Sequence, residues 1–168
     1  MAIPRYRPPA PRQKPYVDTI GKALFRAARL SQAEIASTIG PARQCFTRLR
    51  EGVATEDQHT VLYTILRIAQ GIEESGIVRG LHEHIASALQ AMDAIRTRAL
   101  ASGAWRPTAL HYYELEAITT MLDLHEFQLR QLSAGELTAI ARKLIARTQS
   151  SGGTLVRTSA QNIGLQAA

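Results

Sequence analysis

Residues 30–52, LSQAEIASTIGPARQCFTRLREG, have the spacing of two short helices joined by a tight turn. Ser31 and Glu34 stand three residues apart, as in a capping box, where a hydroxyl and a carboxylate bind backbone N–H groups left free at a helix start. The first helix then has one apolar face, formed by Ile35, Ala36 and Ile39. Gly40 suits a sharp turn because glycine takes left-handed backbone angles without steric cost. Pro41 fixes φ near the helical value and so predicts the start of a second helix.

The second predicted helix has an apolar side and a polar side. Phe46 and Leu49 are three residues apart and can pack back on the first helix. In the major groove, arginine binds guanine and glutamine binds adenine with two hydrogen bonds each, while threonine offers a hydroxyl and a methyl group. The polar side of the second predicted helix carries arginine, glutamine and threonine. The predicted base-reading residues are therefore Arg43, Gln44, Thr47 and Arg48.

About residues 18–74 resemble the helix-turn-helix domain of the phage-repressor-like (Xre-type) DNA-binding family. The matching residues are Ile20, Leu24, Ala28, Gln32, Ile35, Ala36, Ile39, Gly40, Phe46, Arg48, Leu49, Glu51 and Gly52. The resemblance implies that the second helix is a recognition helix in the major groove. Pro41 and Ala42 depart from the family, which prefers a small aliphatic residue and a Ser or Thr cap at these positions. The residues expected to contact the DNA backbone are Lys22, Arg26, Arg29, Gln32 and Arg50.

The positive charge is unevenly distributed along the chain. Residues 1–55 carry ten Lys or Arg and three acids, a net of +7, whereas the remainder carries ten against eleven, a net of −1. A concentrated basic region is typical of nucleic-acid binding, because each cation that meets a phosphate releases condensed counterions. A solvated basic surface or an acidic protein partner remains an alternative.

The composition sets limits on the class of protein. At 168 residues the chain can form one domain or two small ones with a sizeable core. It has no apolar stretch long enough to cross a bilayer and no signal-peptide core at its start, which predicts a cytoplasmic protein without membrane association. The single Cys45 excludes an intramolecular disulfide and a multi-cysteine zinc site.

Both ends of the chain are predicted to lack regular structure. Residues 1–16 contain five prolines and four Lys or Arg, so an extended basic arm is expected. Such an arm can follow phosphates or enter the minor groove, or it can be a leader without a role. Residues 151–168 begin with serine and two glycines and show no periodicity, which predicts a flexible tail.

The remaining residues have helical periodicity. Residues 17–75 are predicted to form the DNA-binding domain, completed by a helix that begins at the capping pair Thr55 and Gln58. Residues 77–150 are predicted to form a dimerisation or effector domain, with helices over 78–101, 108–132 and 134–150. No segment alternates as a β-strand does. The expected fold is all-α, with an N-terminal helix-turn-helix domain followed by a long-helix hairpin or bundle.

The first of these long helices would span about 37 Å, too much for the small N-terminal domain to cover its apolar stripe. A homodimer through residues 77–150 is therefore expected, since two DNA-binding units can occupy successive major grooves. These helices are also a possible site for a protein partner. Trp105, between the first two of them, is interpreted as a packing anchor.

The sequence contains no arrangement typical of a metal, cofactor or catalytic site. His111 and His125 share a helix stripe but lie about 21 Å apart along it, too far to bind one ion. His125 is interpreted as a hydrogen-bonded histidine of the core or of an interface. There is no phosphate-binding glycine loop and no serine nucleophile elbow. Neither enzyme activity nor a cofactor is therefore expected.

The leading hypothesis is a sequence-specific transcriptional regulator that binds double-stranded DNA as a homodimer. A second hypothesis is a DNA packaging, partition or transfer accessory protein that forms a larger oligomer. A third is a protein-interaction module, such as an adaptor or inhibitor, that does not bind DNA. Only the first two predict salt-sensitive binding to a duplex.

Overall fold

The computed structural model describes residues 19–152, which form six α-helices. They are α1 (Thr19–Ala27), α2 (Gln32–Arg50), α3 (Glu56–Ser75), α4 (His82–Ala99), α5 (Tyr112–Gln131) and α6 (Ala134–Ser150). These residues contain no β-strand, so the predicted all-α fold is confirmed. The predicted arm and all but the first two residues of the predicted tail lie outside the described range. No helix between residues 19 and 152 has the length and apolarity needed to span a membrane.

Helix α3 lies at the centre of the bundle and packs against α2, α4, α5 and α6. One buried cluster joins four of the helices, with Ala42 and Leu49 from α2, Leu62 and Leu66 from α3, Met92 and Ile95 from α4, and Ile118 and Leu122 from α5. Fully burying one such large side chain contributes about 1.5–3 kcal/mol. Residues on both sides of the boundary predicted near residue 76 therefore contribute to one buried cluster.

The turn predicted at Gly40 is wrong, because α2 continues through Gly40 and Pro41 as one helix of 19 residues. The apolar positions of the two predicted helices are spaced so that one helix presents all of them on a single stripe: Ile35, Ile39, Ala42, Phe46 and Leu49. None of residues 40–42 has a side-chain oxygen that could accept a backbone N–H at a new helix start. Pro41 leaves only the carbonyl of the exposed Ser37 without its helical donor, and water can bind there.

Replacing Gly40 with alanine tests this continuity. Gly40 has no positive φ, and a Cβ placed on it meets no atom within 4 Å beyond its chain neighbours and the backbone of its own helix. We expect Gly40→Ala to stabilise the fold by at most about 1 kcal/mol, because the smaller entropy loss of alanine in a helix is partly offset by contact of its Cβ with the ring of Pro41. Urea unfolding gives the value. Gly52, with a φ of 71°, is the matched control, and Gly52→Ala should destabilise. A loss in Gly40→Ala as large as the loss in Gly52→Ala would instead indicate left-handed backbone angles at Gly40, as the predicted turn requires.

The helix starts follow the predicted caps where the capping residues are strong. Ser31, Thr55 and Ser133 all form the predicted capping boxes. The starts of α4 and α5 were predicted at residues 78 and 108, and both are wrong by four residues. Before α4, the Glu73 carboxylate accepts the N–H groups of Gly80 and Leu81, which keeps this segment out of the helix. Before α5, the Glu114 carboxylate accepts the His111 N–H at 2.8 Å.

Two polar side chains tie the helices together inside the bundle. His125 is fully buried, as predicted, and its Nδ1 lies 3.0 Å from Gln128 Oε1. The Gln128 amide in turn donates to the carbonyl of Ala69 in α3. Trp105 is half-buried, and its Nε1–H donates to the Ala54 carbonyl at 2.8 Å. The indole thus fixes the α4–α5 connection to the α2–α3 connection.

Candidate nucleic-acid interface

The chain segment after α1 is hydrogen-bonded to the start of α6. The Leu30 N–H donates to the Leu132 carbonyl at 3.0 Å, and the Ala134 N–H donates to the Ala28 carbonyl at 3.3 Å. Arg29 lies opposite Ser133 in an antiparallel β-bridge. Backbone bonds of this kind fix the end of α1 more firmly than side-chain packing alone.

The two helices also touch directly at Gly135. A Cβ at this position would lie 2.9 Å from the Arg26 carbonyl oxygen, closer than real Cβ atoms approach such an atom. Glycine therefore permits α1 to cross α6 with backbone against helix. Because of this contact, the exposed basic residues of α1 and α6 lie on two adjacent helices. We call residues 19–29 and 134–150 the α1–α6 surface.

The α1–α6 surface is strongly positive, although the rest of the described bundle is not. It carries six Lys or Arg and one acid, a net of +5, while residues 30–132 carry nine against twelve, a net of −3. The six cations are Lys22, Arg26, Arg29, Arg142, Lys143 and Arg147. The residues before α1 add Arg5, Arg7, Arg12 and Lys14 to the same end of the sequence. Folding therefore brings together the two helices that carry six of the cations of the described residues.

Little of this charge is neutralised by the described residues. Arg147 pairs with Glu74 of α3 at 3.0 Å, and the other five cations form no ion pair within residues 19–152. The one acid, Glu136, is engaged by Ser133, whose backbone and hydroxyl hydrogen bonds lower its pKa, with a smaller effect from Arg29. Arg67 of α3 extends the basic surface, because it lines a small cleft of about 50 Å³ together with Lys143 and Arg147.

Helix α1 is also amphipathic and projects its apolar residues into solvent. Ile20, Leu24 and Phe25 are 73%, 68% and 63% exposed, and no residue of α1 is buried. Exposed apolar side chains in such a group mark a contact surface more often than a bare protein surface. The basic residues of α1 therefore lie on a short helix that contributes no buried side chain to the core.

The predicted base-reading residues lie elsewhere, along the outer side of α2. Arg43 donates to Asp123 and to Glu126 of α5, both at 2.9 Å, and these hydrogen bonds raise its pKa. Arg48 pairs with Glu51 at 3.2 Å, and the Thr47 hydroxyl donates to the Arg43 carbonyl. Gln44 is exposed, and its side chain forms no hydrogen bond with another residue in the range 19–152. Two of the four predicted base-reading side chains thus already hold carboxylates.

The predicted backbone contacts divide between the two surfaces. Lys22, Arg26 and Arg29 belong to the α1–α6 surface, whereas Arg50 ends α2 and Gln32 begins it. On α2, the predicted backbone contact Gln32 lies about 16 Å along the helix from the predicted base-reading residue Arg43. Arg50 lies still farther from Gln32. The cations of α6 were missed by the sequence analysis. The available indication was that residues 134–150 contain three Lys or Arg after position 140 and a single acid.

The surface has no arrangement for metal chemistry. Among residues 19–152, no three His, Cys, Asp or Glu side chains lie close enough together to hold a metal ion.

Comparison of the chain with models of known families, with curated proteins and with solved structures found no match.

Proposed function

We propose that this protein binds double-stranded DNA through the α1–α6 surface, by contacting phosphates rather than by reading bases. The observation that carries the proposal is the net charge of +5 on two crossed helices beside a bundle of net −3. Phosphate contacts dominate the affinity of proteins for duplex DNA, and they require unpaired cations that lie at the surface. Five of the six cations meet this requirement.

A duplex fits this surface better than a single strand. Helix α6 is about 25 Å long, which matches about seven base pairs at a phosphate spacing of about 3.4 Å per strand. Single-strand binding sites stack successive bases on aromatic side chains. Phe25 is the one aromatic residue in the α1–α6 surface, so a series of stacked bases has no support there.

This proposal favours the DNA accessory protein over the sequence-specific regulator. Base reading by Arg43 and Arg48 would require both side chains to exchange a carboxylate partner for a base. Base reading by the α2 side chains stays a prediction. A homodimer also stays part of the proposal, and it is supported by the exposed Tyr112, Tyr113 and Phe127 of α5 within the predicted 77–150 segment.

Two variants of equal charge test which surface binds DNA. The first neutralises three unpaired cations of the surface, as Arg29→Gln, Arg142→Gln and Lys143→Gln. The control neutralises three unpaired arginines elsewhere, as Arg50→Gln, Arg79→Gln and Arg106→Gln. Because each lost phosphate contact removes the release of about 0.9 counterion, we expect the first variant to bind a random duplex about 100-fold more weakly at about 0.1 M salt.

Fluorescence anisotropy of a labelled duplex measures the affinity of both variants. The control should change it by less than about threefold, since distant charges are screened at this salt concentration. Equal losses in the two variants would show that only net charge matters. An unchanged affinity in the first variant would refute the proposed surface.

A further inference from the structure

A second candidate site lies at the opposite end of α3 from the α1–α6 surface. A cleft of about 380 Å³ opens between the first turns of α3 and the middle of α4. Asp57, His59 and Tyr63 line it from α3, and Asp93 and Arg96 line it from α4. Asp57 is about 21 Å along α3 from Gly71, where α6 packs. The cleft is therefore separate from the proposed DNA contact.

The walls of the cleft carry unpaired negative charge. Asp57 and Asp93 are exposed and form no ion pair with any residue in the range 19–152. Arg96 is held by Glu56 at 3.5 Å, so it does not neutralise either aspartate directly. The four charged side chains together leave a net of −2 facing a concave surface. Such a surface attracts a cation.

A buried histidine, His59, lines the cleft together with the carboxylates. His59 is 3% exposed, and its Nε2 lies 2.9 Å from the carbonyl of Met92. A carbonyl only accepts, so Nε2 carries the proton and Nδ1 of the neutral ring has a lone pair. Burial lowers the pKa of His59, which keeps the ring neutral at pH 7. No described residue donates a hydrogen bond to Nδ1.

Aromatic rings surround this histidine on two sides. The Tyr63 ring is stacked on it at a centroid distance of 6.3 Å, and Trp105 lies at 5.4 Å with its ring tilted by 58°. Both rings pack against the imidazole, and Tyr63, which also lines the cleft, gives it an aromatic wall beside the carboxylates. A site with acceptors, negative charge and aromatic faces is suited to an organic cation.

We propose that this cleft binds a small organic cation with N–H donors, a primary amine or a guanidinium compound. Asp57 and Asp93 provide the opposite charge, His59 Nδ1 accepts one N–H, and Tyr63 contacts the alkyl part. A metal ion does not fit, because no three ligating side chains within residues 19–152 converge on one point. The proposal is independent of DNA binding.

The single tryptophan of the chain, Trp105, provides a local probe because it contacts His59. Titration of the full chain with 1,4-diaminobutane should change Trp105 fluorescence with saturation and shift the ¹⁵N resonance of His59 Nδ1. The comparison compound is the same diamine with three methyl groups on each nitrogen, which has the same charge and no N–H. It should bind more weakly by about fivefold or more, because His59 and the carboxylates lose their donors. Equal binding of the two compounds would overturn the proposed hydrogen bonding.

Substitution of the carboxylates completes the test. Asp57→Asn and Asp93→Asn should each weaken binding of the diamine by about fivefold, as expected for loss of one ion pair. Glu83→Gln, on the exposed side of α4 and outside the cleft, is the control and should have no effect. The proposal is overturned if neither the fluorescence nor the ¹⁵N shift saturates, or if the control weakens binding as much as the cleft variants.

Discussion

Replacing Arg98 with methionine should destabilise the fold by about 3 kcal/mol, because it leaves the buried charge of Glu114 without a partner. The guanidinium of Arg98 donates to both oxygens of Glu114 at 2.6 Å, and Glu114 is 0% exposed. Burial alone would raise the pKa of Glu114. The hydrogen bonds from Arg98 and from the His111 N–H outweigh burial, so the net shift of this pKa is downward. The pair joins the end of α4 to the start of α5.

The pH dependence separates an uncompensated charge from lost packing. In the wild type the lowered pKa means that the pair stabilises the fold above about pH 4.5 and that this stability is lost as the pH falls further. In Arg98→Met the remaining burial raises the pKa of Glu114, so the difference from wild type should shrink as the pH is lowered towards 4.5. The double variant Arg98→Met/Glu114→Gln should recover most of the loss at pH 7. Urea unfolding that shows a cost below about 1 kcal/mol would contradict the role of the pair.

The second large effect is a steep loss of stability below pH 6.5, caused by two buried histidines. Burial lowers the pKa of both His59 and His125 in the folded protein. The unfolded chain therefore binds these two protons at a higher pH than the folded chain does. Stability is fully present above about pH 6.5 and falls as the pH drops below it, by up to about 1.4 kcal/mol per pH unit for each histidine.

Urea unfolding at a series of pH values between 7 and 5 measures this slope. His125→Leu combined with Gln128→Leu removes one titrating group without leaving the Gln128 amide oxygen unpaired, and it should roughly halve the slope. His82 is exposed at the start of α4, so His82→Gln should leave the slope unchanged. A double variant with the wild-type slope would show that the pKa of His125 is the same in the folded and the unfolded chain, which would contradict the lowering by burial.

Local patterns in the sequence were sufficient to predict most of the helices. The capping pairs at Ser31, Thr55 and Ser133 predicted three helix starts, since a cap is a contact between residues three apart. The same kind of local evidence failed at Gly40 and Pro41, because glycine and proline favour a turn but tertiary packing can hold both inside a helix. The apolar spacing through these residues favours a continuous helix, and burial of that stripe against α3 and α5 decides the outcome.

The candidate interface could be predicted only in part, because it depends on contacts between distant residues. The sequence indicated that Lys22, Arg26 and Arg29 would contact phosphates, but it could not place them beside α6. That placement depends on the close approach at Gly135 and on the bridge between Arg29 and Ser133. In the same way, the residues near Arg43 in the sequence do not indicate its ion pairs with α5, since Asp123 is 80 residues away.

The salt dependence of duplex binding tests the central claim most directly. The logarithm of the association constant should fall linearly with the logarithm of the salt concentration, with a slope of about −4.5 or steeper if the five unpaired cations meet phosphates. The variant with Arg29→Gln, Arg142→Gln and Lys143→Gln should have a slope shallower by about 2.7, and the control with Arg50→Gln, Arg79→Gln and Arg106→Gln should keep the wild-type slope. Equal slopes in all three proteins, or the absence of duplex binding at low salt, would contradict the account.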